Sequence, residues 1–90
     1  MKSYTPRPGD IAMDLQRCFE ISVAMRSFQD KTFRTFFRHA LIDLKATESN
    51  IDKTTLKNVR KCLKRVLDSN LDSQKRREDL LTASGMLLNC

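Results

Sequence analysis

The sequence predicts an all-α fold, a compact single-domain helical bundle of three to four helices. Three observations lead there: 90 residues hold only 2 Gly and 2 Pro, the 40% apolar residues show no strand-like alternation, and they recur at helical spacing in separate stretches. A chain of this length buries only ~60% of the surface its unfolded form exposes, so it has room for one modest core and no second domain. The expected helices span about 11–27, 31–46, 53–68 and 73–88, preceded by a flexible arm over residues 1–9, which leaves 10–90 as one helical domain.

The arm carries Pro6, Pro8 and Gly9, which disfavour a helix interior. Asp10 is the expected cap of the first helix, in which Ile11, Leu15, Cys18, Phe19, Ser22 and Val23 form the apolar stripe and Asp14 suits the positive end of the helix dipole. Phe28, Gln29 and Asp30 connect to the second helix, with Asp30 as its cap. There Phe33, Phe36, Phe37, Ala40, Leu41 and Leu44 lie at i, i+3, i+4, i+7, i+8 and i+11, which reads as a core face. Ile42 projects almost opposite the phenylalanines and is the candidate apolar anchor for a partner.

Residues 47–51 form a polar connector, too long and without the glycine of a DNA-reading helix-turn-helix. The third helix has a well-marked start. Asp52 caps it, Ile51 and Leu56 are spaced as a hydrophobic staple, and Leu56, Val59, Leu63, Val66 and Leu67 share one stripe. The fourth helix begins near Asp72, with Leu80, Leu81, Ser84, Leu87 and Leu88 facing inward and Gly85 as either a C-terminal cap or an interior glycine.

The formal net charge of +6 is uneven. Residues 31–49 carry four basic and two acidic groups and residues 50–71 six and two, while the two ends of the chain are balanced. The basic candidates for partner binding are Lys31, Arg34, Arg38 and Lys45 on the second helix and Lys57, Arg60, Lys61, Lys64 and Arg65 on the third. Viewed from opposite ends, antiparallel neighbours bring these stripes together with one packing hand and apart with the other, and the sequence does not choose between them. Lys75, Arg76 and Arg77 are offset locally by Glu78 and Asp79.

Several functions find no support in the residues. There is no nucleophile elbow, CxxC, HExxH or phosphate loop, so no catalytic residue is assigned and an enzyme is not expected. Cys18, His39, Cys62 and Cys90 are too dispersed for a structural zinc site, so neither metal nor cofactor is expected. His39 lies four residues before Asp43, a spacing that suits a surface ion pair on one helix. Asp10 and Asp14 are spaced like a paired carboxylate site, although helix capping accounts for both. An odd number of cysteines and an N-terminus without an apolar stretch point to a reducing, cytoplasmic setting, and no run is long enough to span a membrane.

What remains is a non-enzymatic regulator or adaptor that binds a macromolecule, either an acidic protein surface or its own copy. The competing expectation is nucleic-acid binding through phosphates with little base readout. The basic faces lack the interleaved aromatics and amides that read bases, which tips the balance toward a protein partner. A small-molecule substrate is not expected.

Overall fold

The computed structural model describes residues 6–89, which form four α-helices: α1 Pro8–Ala24, α2 Lys31–Thr47, α3 Lys53–Val66 and α4 Ser73–Leu88, with a 3-10 turn over Glu48–Asn50 between α2 and α3. Aspartates set three of the helix starts. The Asp30 carboxylate accepts the Thr32 and Phe33 amides at 2.9 and 3.4 Å, Asp52 accepts those of Thr54 and Thr55 at 3.1 and 3.2 Å, and Asp72 accepts that of Gln74 at 3.1 Å. Each satisfies amides that an unfinished first turn leaves without partners.

The first helix differs from expectation at both ends. It begins at Pro8, whose missing N–H would have no helical acceptor at that position anyway. Asp10 is therefore inside the first turn and not the cap; its carboxylate accepts the Arg7 amide at 3.1 Å. Of the expected arm, residues 1–5 lie outside the described residues, Pro6 is buried, and Pro8 and Gly9 belong to α1. The helix ends at Ala24, not near residue 27, because Arg26 takes a left-handed φ of 51° just past the Met25 cap. A side chain in that region costs about 1 kcal/mol, so Arg26→Gly is expected to raise stability by about that amount in denaturant melts; a loss would mean the Arg26 side chain holds the turn.

α1 packs against both α2 and α4, and α4 packs against α3. Small residues sit at the α1–α4 crossing, where the Ser84 hydroxyl donates to the Ala12 carbonyl at 3.1 Å and both residues are buried. Ile11, Leu15, Phe33, Phe37, Leu44, Val59, Leu63, Val66, Leu80 and Leu87 fill the core. Phe33 is its aromatic centre, stacked on Phe37 at 5.8 Å and met edge-on by Phe28 at 5.5 Å between ring centroids. Phe28 is in turn covered by the Arg76 guanidinium 4.0 Å above its ring. Arg76 also donates from Nε to the Val66 carbonyl at 2.6 Å, and Arg77 donates to the Ser22 carbonyl at 3.3 Å. These two arginines, which the local sequence offsets against acids, are thus ties between α4, the end of α3 and the end of α1, and burial lowers Arg76 below its ordinary proton affinity.

The apolar stripes are wider than the faces that cover them. Val23, Leu41, Leu67, Leu81 and Leu88, all expected inside, are exposed, whereas Ala12, Cys62 and Ala83 are buried. Gly85 is an interior residue of α4. Cys18 and Cys62 are free and buried, and desolvation, aided by the Asp14 charge, pushes the Cys18 thiol up to about 12. Both are expected to resist iodoacetamide in the folded protein and to label once it is unfolded, as read by peptide mass spectrometry; prompt labelling of folded Cys18 would contradict its burial. Cys90 lies outside the described residues. No helix among the described residues is long and apolar enough to cross a membrane.

Candidate interaction groove

α2 and α3 flank the core without close backbone packing on each other, and a groove opens between them. One part, about 310 Å³, is lined by Leu41, Leu44, Lys45, Arg60, Leu63, Lys64 and Leu67. A second, about 220 Å³, is lined by Phe28, Phe33, Arg34, Phe37, Arg38, Leu41 and Leu67. Leu41 and Leu67 belong to both and make them continuous. Phe33, Phe37, Leu44 and Leu63 are almost inaccessible and form the floor, while Leu41 at 39% and Leu67 at 58% exposure stand at the sides. From Arg34 to Lys45 the groove follows about three turns of α2, ~16 Å at the helical rise.

The packing hand left open by the sequence is thereby resolved for part of each basic stripe. Arg34, Arg38 and Lys45 from α2 and Arg60 and Lys64 from α3 line the groove, and no carboxylate does. Arg60 also pairs with Glu48. Lys31 lies next to Arg34 and Arg38 in an adjoining, more polar depression. Lys57 and Lys61 are exposed and line none of these. Arg65 faces a different element: it donates from Nε and Nη2 to the two carboxylate oxygens of Asp79 on α4, at 3.2 and 2.9 Å, and the same contact raises its proton affinity. That fork-like pair ties α3 to α4 and leaves Arg65 with a structural role.

Ile42 is 59% exposed, as its position opposite the phenylalanines implies. It lies in a depression of about 440 Å³ with Asp14, Thr35, Phe36, Arg38 and His39, away from the groove leucines in the lining. His39 Nδ1 is 3.4 Å from the Asp43 carboxylate four residues on, the expected pair. Its shorter contact, 2.8 Å, is to Asp14 on α1. That hydrogen bond, with the Asp43 charge behind it, raises His39 above its ordinary range. Asp14 stands 25 residues from His39 in sequence, and only the α1–α2 crossing brings them together. Leu41 and Leu67 as groove residues were likewise hidden by their place on helical stripes; the available signal was that each stripe runs wider than one neighbour covers. Compared with protein-family models, curated proteins and solved structures, the chain matches none.

Proposed function

We propose that the protein is a non-enzymatic adaptor whose α2–α3 groove seats an acidic amphipathic helix of a partner protein. Apolar side chains of the ligand, at i, i+3 or i+4 and i+7, would rest on the Phe33, Phe37, Leu44 and Leu63 floor between Leu41 and Leu67. Its carboxylates would lie under the cations, which steer association and fix orientation. The observation that carries this reading is the coincidence of an apolar groove, walled by the exposed Leu41 and Leu67, with five lining cations, of which Arg60 alone is paired with a carboxylate among the described residues, and no lining carboxylate. A second copy of the chain presenting the same groove is disfavoured, because the two sets of cations would meet.

Nucleic acid is the second reading, favoured by Lys31, Arg34 and Arg38 around the adjoining depression of about 420 Å³. Phosphates need cations and are indifferent to the leucines. Titration of labelled short mixed-sequence DNA and RNA, and of a leucine–glutamate helical peptide, at two salt concentrations separates the two. The peptide is expected to bind more tightly and to lose association rate, more than it gains dissociation rate, when Arg34, Arg38, Lys45 and Lys64 are changed to Gln. Tight nucleic-acid binding whose log–log salt slope falls by ~0.7–0.9 per phosphate contact removed, with no effect of Leu41 and Leu67, would overturn the adaptor reading.

A further inference from the structure

We propose that Asp14, His39 and Asp43 form a binding site for a divalent transition-metal ion, with zinc as the best match. One donor atom from each residue lies within 4.8 Å of the other two. Two carboxylates converge on a single imidazole nitrogen, and Nδ1 carries at most one proton to share. It serves Asp14 Oδ2 at 2.8 Å. Asp43 Oδ2, 3.4 Å from the same nitrogen, has no hydrogen-bond partner, although the atom is buried and the residue is only 5% exposed. A buried carboxylate oxygen without a donor is costly, and a cation in the space it faces would remove that cost.

The spacing suits a small tetrahedral ion. Bonds of ~2.0–2.2 Å to nitrogen and carboxylate oxygen imply donor–donor separations of ~3.3 Å. The Asp43–His39 separation of 3.4 Å already meets this, the 2.8 Å Asp14–His39 contact has to open by about half an ångström, and the two carboxylates, within 4.8 Å of each other, have to draw in to the same spacing. Asp14 is the more accessible of the two carboxylates, its side chain 16% accessible against 7% for Asp43, so the adjustment falls to it. An imidazole donor together with two carboxylates selects zinc or a neighbouring transition metal over magnesium or calcium, which take oxygen donors. The fourth position faces a depression lined also by Asp10, Met13, Arg17 and Phe36, open to water or to a carboxylate of another molecule. Arg17 and Arg38 are the cations that share depressions with the cluster, and the Arg17 guanidinium is held 5.5 Å over the Phe36 ring. The ion would pin α1 to α2 through side chains that otherwise share one proton.

The test is equilibrium dialysis of the tag-free full chain against zinc, followed by metal analysis and thermal melting. The expected result is one zinc per chain, a higher melting temperature with zinc, and at least tenfold weaker binding in each of Asp14→Asn, His39→Gln and Asp43→Asn. His39→Gln alters an exposed residue and keeps the test decisive if Asp43→Asn fails to fold. No stoichiometric zinc, or zinc retained by His39→Gln and lost on alkylating the cysteines, would overturn the site.

Discussion

Replacing Phe33 by alanine is expected to lower the stability of the domain by ~3–5 kcal/mol, the range for emptying a buried aromatic position. Phe33 is 1% exposed and is the one ring in contact with both other aromatics of the cluster, Phe28 and Phe37. Its removal takes from Phe28 its edge-on ring partner, leaving the Arg76 and Arg77 guanidiniums over the Phe28 ring, and opens the groove floor. A domain of this size has a total stability of ~5–13 kcal/mol, so the variant should melt ~15–30 °C lower and be partly unfolded near physiological temperature. Phe36→Ala is the matched control. Phe36 is only half-buried, with Arg17 over its outer face, and its loss should cost less than half as much. Equal melting shifts for the two variants would contradict the assignment of Phe33 to the centre of the core.

The double variant Leu41→Asp, Leu67→Asp is expected to fold and to lose binding of its partner helix by ~100-fold or more. Both leucines are more than a third exposed, so their replacement should change stability by no more than ~1 kcal/mol in total. Binding suffers twice. Central apolar anchors of a helix-in-groove contact are worth ~2 kcal/mol or more each, and tenfold in affinity corresponds to ~1.4 kcal/mol. The new carboxylates would also sit beside Arg34, Arg38, Lys45 and Lys64 and occupy the cations that the ligand's own acids need. Ile42→Ala, whose depression shares only Arg38 with the groove, should leave this binding nearly unchanged.

How far the sequence carried depended on the range of the interaction. Asp30, Asp52 and Asp72 act on amides two or three residues away; the caps at Asp30 and Asp52 are legible from local spacing alone, while at Asp72 the spacing marks only the start of the helix. The start of α1 departs from expectation because Pro8 occupies a first-turn position that tolerates proline, and Asp10, spaced like a cap, serves the Arg7 amide from within that turn. Periodicity gave the direction of each stripe but not its coverage. A leucine on a stripe is buried only where another helix lies over it, and because α2 and α3 do not close on each other, Leu41 and Leu67 are left on the groove walls. The basic residues were all identifiable, yet their sorting was not: Arg65 turns to Asp79 and Arg60 reaches Glu48, choices made by tertiary neighbours. The Asp14–His39–Asp43 cluster joins two helices, and only its His39–Asp43 half has a sequence signature.

The central claim, that the α2–α3 groove recognises an acidic amphipathic helix, is tested most directly by selecting binders from a displayed library of helix-length random peptides against the wild-type protein, with counterselection on the Leu41→Asp, Leu67→Asp variant. The expected outcome is enrichment of peptides with apolar residues at i, i+3 or i+4 and i+7 flanked by Glu and Asp, whose amide perturbations map to Leu41, Lys45, Leu63 and Lys64. Enrichment of basic or unpatterned peptides, or of none that the double variant fails to bind, would contradict it.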